Sequence, residues 1–327
     1  MKGRKENEEK KLKKIEEKIA DKPFYIKKYY YTLDDKSYTT KNVYINYVLD
    51  FIEFAKNDLH LDVSSVESFN SIKKSDIDYY LANLDGKASI KRCRLYGIKT
   101  FFQFLEDDEY ISNNPCIKVI APKEKEEHVI TSMTKKEINI VKKNILNGYG
   151  SKRAINTQYK WRRRDYAIVM LGLSLGLRVT SLTEINLEDI NFDEKKITIV
   201  EKGNKTRIVM FSDDLKNVLL DWIDDRKEIL GDDCKSVDAL FISSRRKRIT
   251  SSGIERLISK YTQNIDKHIT PHKLRSTCAT NIYNKTGDIY LTADVLGHSN
   301  IANTRRYAQI SEERKKKAAE AMDDILF

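Results

Sequence analysis

The 327-residue sequence predicts a mainly α-helical protein of two domains, the second mixed α/β with a small antiparallel β-hairpin. Three observations carry this. At roughly 150 residues per domain the length suggests two domains, each large enough to bury its own core. With only 12 Gly and 4 Pro the chain is neither collagen-like nor a many-turned all-β protein. Apolar residues recur every three or four positions through most of the chain, the helical period. Charged residues make up 33%, but 18 Tyr and 11 Phe are too many for a disordered chain.

Taken in order, residues 1–22 are a Lys/Glu run with Leu12, Ile15 and Ile19 at helical spacing, expected as a charged N-terminal helix or tail. A compact helical domain is expected over 23–123. Its first long helix follows Thr39-Thr40 and carries Val43, Tyr44, Tyr47, Val48, Phe51, Ile52 and Phe54/Ala55. Ser75 or Asp76 can cap a short helix through Tyr79, Tyr80 and Leu84. A long helix over Ser89 to Leu105 sets Ile90, Leu95, Ile98, Phe101, Phe102 and Leu105 against a basic face. Asn113-Asn114-Pro115 ends the helices, and Ala121-Pro122-Lys123 opens a linker, with the boundary near 120–130.

The second domain is expected over 130–327. Thr134 with Glu137 three residues on is a capping box. The apolar run over Asp165 to Leu175 reads as a buried helix. Lys196 to Val200 and Thr206 to Phe211 form a hairpin with Lys202-Gly203-Asn204-Lys205 at its tip. Helices follow at about 213–230, 252–265, 271–286 and 288–296. Near the end, Ala318, Ala319, Met322, Ile325, Leu326 and Phe327 make an apolar helical stripe.

Several classes are excluded. No stretch approaches the ~18 apolar residues of a membrane span; the longest, Tyr166 to Leu177, has 12. The N-terminal run lacks the apolar core of a secretory leader. Cys93, Cys116, Cys234 and Cys278 lie far apart with no CxxC, which argues against common zinc and redox motifs and for reduced, intracellular thiols.

The net charge is +11, of which +8 falls after residue 123. It is clustered: Lys87, Lys91, Arg92, Arg94 and Lys99; then Lys152, Arg153, Lys160, Arg162, Arg163 and Arg164; then Arg245, Arg246, Lys247 and Arg248. Any one cluster is ordinarily a solvated face. Three together point to a polyanion, and nucleic acid is the expected partner through counterion release.

Four short motifs carry the chemistry. In Thr270-Pro271-His272-Lys273-Leu274-Arg275, Thr at N-cap and Pro at N1 open a helix, with His272 in its first turn and Arg275 one turn on. His268 lies four residues from His272, but Pro271 interrupts any helix through both, and no carboxylate or Cys completes a metal-ligand set. Leu296-Gly297-His298 stops a helix and leaves His298 on a loop, with Tyr307 nine residues later. Gly176-Leu177-Arg178 closes the buried helix, and Lys202 sits at the hairpin tip. Singly, each has a bland reading as cap, core or surface residue. Together, two arginines, two histidines, a lysine and a tyrosine make a metal-free phosphoryl-transfer set. Guanidinium forks bind non-bridging oxygens, imidazoles add hydrogen bonds, and Tyr supplies the nucleophile.

On these residues the sequence resembles the tyrosine recombinase, or phage integrase, family, and most closely its compact Xer-like members. The pattern is carried by Arg178, by Glu201-Lys202-Gly203-Asn204-Lys205-Thr206-Arg207, by His272-Lys273-Leu274-Arg275, by Leu296-Gly297-His298 and by Tyr307. Spacings of 24 residues from Arg178 to Lys202 and 23 from Arg275 to His298 fit. The resemblance runs from about residue 23 to the end, with Ser89 to Leu105 and Asn113-Asn114-Pro115-Cys116 similar to the family's helical (SAM-like) core-DNA-binding domain. One departure stands out: the acidic residue usual three positions after the first arginine is Ser181 here, and Glu184 would point elsewhere on a helix.

The resemblance implies a site-specific recombinase that cuts and rejoins DNA through a 3′-phosphotyrosine and a Holliday junction. Tyr307 is then the nucleophile, Arg178 and Arg275 hold the phosphate, Lys202 is the general acid, and His272 and His298 assist. It implies no cofactor, metal or ATP. It also implies inverted-repeat core sites in double-stranded DNA, a homotetramer on two such sites with or without a paired recombinase or directionality factor, a C-terminal helix docked on a neighbouring protomer, and a bacterial or mobile-element cytoplasmic setting. The clustered Lys87, Lys91, Arg92, Arg94, Lys99, Arg162, Arg163, Arg164, Arg245 and Arg246, with Lys205 and Arg207 of the hairpin, are the expected DNA contacts. The alternatives are a catalytically weakened accessory protein of the same fold, favoured by Ser181, and a type IB-like nicking enzyme.

Overall fold

The computed structural model describes residues 12–123, 131–201, 206–232, 236–298, 300–305 and 307. Lys202 and Lys205 of the expected hairpin tip, Cys234 and the apolar stripe from Ala318 to Phe327 lie outside the described residues. The chain divides into two compact units, Met1–Glu127 and His128–Phe327.

The first unit is helical. Residues 12–19 form a helix whose Ile15 and Ile19 are buried in the unit's core. It is followed by α1 (Phe24–Thr32), α2 (Tyr38–Asn57), α3 (Lys74–Asn83) and α4 (Ala88–Asp107). Helix α2 starts earlier than Thr39-Thr40 because the extended Ser37 caps it, its Oγ accepting from the Thr40 amide. Helix α3 starts before Ser75, and Asp76 acts within its first turn by accepting from the Lys73 amide. On α4 the predicted apolar residues Leu95, Ile98, Phe101, Phe102 and Leu105 are buried, while Ile90 at its start is exposed. The core is aromatic: Tyr25, Tyr29, Phe51, Phe69, Phe101 and Phe102 meet largely edge to face. The buried phenols find partners, Tyr25 donating to the Val63 carbonyl at 2.6 Å and Tyr29 paired with Thr100 at 2.6 Å.

The second unit is built around α7. It begins with α5 (Lys135–Asn147), where Thr134 and Glu137 form the expected capping box, and α6 (Lys152–Tyr159). Helix α7 (Arg162–Leu175) buries Asp165, Ala167, Ile168, Val169, Leu171, Gly172 and Leu175, nearly all round its axis, as a continuous apolar run demands. It packs against α5, α9 (Asp213–Leu230) and α11 (Pro271–Thr286). Between α7 and α9 come α8 (Val179–Glu184) and an antiparallel sheet of β1 (Ile190–Asn191), β2 (Lys196–Val200) and β3 (Thr206–Met210) in that order. The β2–β3 register pairs Val200 with Thr206, which brings the two strands together at the Lys202 end. Helices α10 (Ser251–Tyr261), α12 (Ile289–Leu296) and α13 (Ala302–Arg305) complete the unit. Helix α10 stops at Tyr261, short of the expected 265, because Thr262 turns back to the Ser259 carbonyl. No described helix is long and apolar enough to cross a membrane.

One glycine positions the later chemistry. Helix α7 ends at Gly176 in the left-handed region (φ 58°, ψ 31°), and a Cβ there would lie 2.6 Å from Leu296 Cδ2. We expect Gly176→Ala to cost roughly 2–4 kcal/mol from backbone strain and overpacking. Urea unfolding of the full chain checks this, and an unchanged midpoint would contradict the packing described.

Candidate active site

The site is assembled from segments that close helices or open them. Thr270 caps α11 by accepting from the Lys273 amide, and Pro271 occupies the first helical position. His272 is exposed at this helix start, while Arg275, one turn on, is only 3% exposed. The Arg275 guanidinium donates from Nη1 to the Gly176 carbonyl and from Nη2 to the Leu296 carbonyl, each at 2.6 Å. These carbonyls lie at the C-terminal ends of α7 and α12, where helix carbonyls lack intrahelical partners and the dipole is negative. One side chain therefore ties three helices together and is itself held on two sides.

Arg178 caps the start of α8 with an extended backbone. Its Nη1 lies 2.6 Å from Glu201 Oε2, an ion pair in which the N–H is not aligned as a hydrogen bond. Glu201 Oε1 in turn meets Arg207 Nη2 at 3.1 Å, and Arg207 Nη1 donates to the Val295 carbonyl at 2.6 Å. Ser181, the departure singled out in the sequence, is buried, and its Oγ has no hydrogen-bond partner among the described residues. The carboxylate beside Arg178 thus comes from the end of the hairpin strand.

The third part is the loop after α12. Gly297 closes that helix in the left-handed region (φ 65°), and the chain then presents His298. His298 Nδ1 is 2.8 Å from Thr304 Oγ1 on α13. Tyr307 is 5% exposed, packs with Ala279 and Leu296, and donates its amide to the Thr304 carbonyl at 2.9 Å. Its ring lies parallel to that of His298 (15°) with centroids 6.4 Å apart.

The electrostatics follow from this crowding. Burial, then the Arg178 cation, pulls the Arg275 guanidinium down to about 10, with Arg207 acting the same way and Glu201 and Tyr307 opposing. Arg178 and Arg207 share the Glu201 carboxylate, whose charge also acts on Arg275, and Arg207 Nε has no hydrogen-bond partner among the described residues. Surplus positive charge with unused N–H groups in a partly dry setting favours an oxyanion with several oxygens. No group of three or more His, Cys, Asp or Glu among the described residues could hold a metal ion.

Arg178, Arg275, His298 and Tyr307 are brought together, and His272 opens the helix that carries Arg275. Glu201 and Thr304 were not anticipated as site residues, and Arg207, expected as a DNA contact, lies inside the site. Glu201 had one signal, its place next to Lys202; Thr304 had none. The remaining basic residues divide. Arg164 pairs with the fully buried Asp165 and donates to the Ile242 carbonyl, so it braces the core. Arg163 pairs with Asp225, Arg94 with Asp50 and Tyr80, and Arg162 stacks over Tyr159. Lys91 reaches the Ala82 carbonyl, and Lys87 precedes α4 at its N-cap position without a capping side-chain hydrogen bond. Lys99 and Arg92 lie along α4, and Arg245 and Arg246 are exposed at a turn.

Comparison with known proteins agrees with this fold. The phage integrase family model matches residues 152–314. A tyrosine recombinase of Agathobacter rectalis is 30% identical over 276 residues, covering 83% of this chain and 86% of the relative. Tyrosine recombinase XerC of Caldanaerobacter subterraneus subsp. tengcongensis is 29% identical over 312 residues, covering 89% and 83%. Among solved structures, the XerH site-specific recombinase in a post-cleavage complex with palindromic difH substrate superposes with a TM-score of 0.66 at 20% identity, over 88% of this chain and 81% of that one. This chain belongs to the phage integrase family and is an Xer-like tyrosine recombinase.

Proposed function

We propose that this chain is an active site-specific recombinase of double-stranded DNA, working as a homotetramer on two inverted-repeat sites. The observation that carries the reading is the meeting of Arg178, Arg275, His298 and Tyr307, drawn from well-separated parts of the sequence, around surplus positive charge. In the cycle, Tyr307 Oη attacks the scissile phosphorus and the bond to the 5′ oxygen breaks. Arg178 and Arg275 gather the charge that grows on the non-bridging oxygens; such preorganised donors are each worth roughly 3–4 kcal/mol in related chemistries. His272 takes the phenolic proton, His298 adds a hydrogen bond to the phosphate, and Lys202 protonates the departing 5′ oxygen. The 3′-phosphotyrosine keeps the bond energy, so a 5′ hydroxyl from the partner duplex can reverse the step without ATP. One pair of exchanges yields a Holliday junction and a second resolves it.

The accessory-protein alternative rested on Ser181. The ion pair from Arg178 to Glu201 supports the active reading instead, because it supplies the carboxylate that Ser181 lacks. The Tn1549 transposon integrase, a structural neighbour in complex with circular intermediate DNA, supports a DNA substrate.

The reading is tested by covalent capture. Wild type and Tyr307→Phe are incubated with sheared genomic DNA of the source organism in EDTA, SDS-stable adducts are recovered, and their ends are sequenced. Adducts on 3′ ends at one recurring site, absent from Tyr307→Phe while its DNA binding persists, are expected. Adducts surviving in Tyr307→Phe would remove Tyr307 as nucleophile; binding with no adduct in wild type would favour the accessory role. For His298, Thr304→Val should slow cleavage roughly tenfold, the worth of about one hydrogen bond, with Thr304→Ser near wild type. Equal rates for Val and wild type would show that the His298–Thr304 contact has no part in catalysis.

A further inference from the structure

Arg178 lies at a helix start with an extended backbone, its side chain 37% exposed. Arg275, by contrast, is clamped between two carbonyls. A long, half-exposed arginine spends rotamer freedom to sit in one place, and a partner of opposite charge is what lowers that cost. On its own helix, Ser181 is neutral and its Oγ has no hydrogen-bond partner among the described residues. Among the described residues, the carboxylate paired with Arg178 is Glu201, at 2.6 Å, with its own side chain 13% exposed. Glu201 is in turn fixed from its other oxygen by Arg207, which is anchored on the Val295 carbonyl. Gly297 makes room for this bridge: a Cβ there would lie 2.6 Å from Arg207 Nε and 3.0 Å from Glu201 Oε1. The chain Val295–Arg207–Glu201–Arg178 thus runs from the segment before His298, across the hairpin, to the first phosphate-binding arginine.

We propose that Glu201 is the positioning residue for Arg178, holding its guanidinium toward the scissile phosphate from across the fold, in the role for which Ser181 has no charge. Glu201 touches neither phosphate nor leaving group; it acts through Arg178. The proposal rests on the recombinase reading above, and it makes the residue beside Lys202 serve a different group from Lys202 itself.

That separation supplies the test, run on the target duplex recovered by covalent capture. Glu201→Gln keeps size and removes charge. Its DNA affinity should stay within about threefold of wild type while single-turnover adduct formation falls ~10–100-fold, less than the ~100–1,000-fold for losing a preorganised donor itself in related chemistries, because the Arg178 donor remains. The same assay then uses a duplex whose scissile 5′ leaving oxygen is sulfur, which departs without a general acid. Lys202→Ala should recover on that duplex, and Glu201→Gln should not, because its fault lies at the phosphate. Wild-type cleavage by Glu201→Gln, or its recovery on the sulfur duplex, would overturn the proposal, the second by assigning Glu201 to Lys202. Should Glu201→Gln fail to fold by circular dichroism, Glu201→Asp replaces it and is judged by the same two outcomes. If wild type itself forms no adduct, it is the recombinase reading that fails, and the two failures are distinguished.

Discussion

Arg275 is a buried cation whose hydrogen bonds end on the carbonyls of Gly176 and Leu296, and the site is organised around those two bonds. Burying a guanidinium is costly unless its N–H groups find acceptors, and helix C-termini are among the few places where unpaired carbonyls collect. The bonds satisfy α7 and α12 at their ends while orienting the fork. Gly176 is required where it stands because only a left-handed residue without a Cβ both ends α7 and leaves space for Leu296. His298 follows Leu296 by two residues and Tyr307 packs on Leu296, so the anchoring of Arg275 also sets the floor for imidazole and phenol.

The second constraint is electrostatic. Three arginines gather around one glutamate, and burial with mutual repulsion disfavours the charge on Arg275. In the proposed cycle a phosphodiester relieves this repulsion, and more so as negative charge builds on its oxygens during transfer. The protein holds the tension by attaching each arginine elsewhere: Arg275 to helix ends, Arg207 to Val295, and Arg178 to Glu201. Tyr307, the proposed nucleophile, sits almost fully buried against Ala279 and Leu296 of its own chain.

Much of this was legible in the sequence, for physical reasons that differ by element. The β2–β3 hairpin showed itself through β-branched residues flanking Lys202-Gly203-Asn204-Lys205, and α7 through an apolar run too long for a strand. Helix α11 announced its start with Thr270-Pro271, which put His272 and Arg275 one turn apart. Helix α6 was hidden by its polar residues, and β1, two residues long, has no period to read. Contacts between distant residues were the harder matter. Glu201 meets Arg178 only after α8 and two strands have folded back, and nothing local marks a glutamate beside a lysine as a partner for an arginine so far upstream. Thr304 is one threonine among many until the turn after Gly297 sets its hydroxyl on His298. Basic clusters were visible as charge, but not their division: Arg164 is bound to a buried aspartate and Arg207 to Glu201, while Arg245 and Arg246 remain exposed.

In the proposed reaction the anchored arginines act by neutralising a phosphate on which negative charge is growing. This is tested by cleavage of a target duplex with a methylphosphonate at the scissile position, where one non-bridging oxygen is replaced by an uncharged methyl. Arg178→Ala should be severely impaired on the ordinary phosphodiester and recover most of its rate relative to wild type on the methylphosphonate, since the charge it failed to meet is gone. Equal impairment on both duplexes would contradict the account and assign Arg178 to holding the fold or the DNA rather than the transition state.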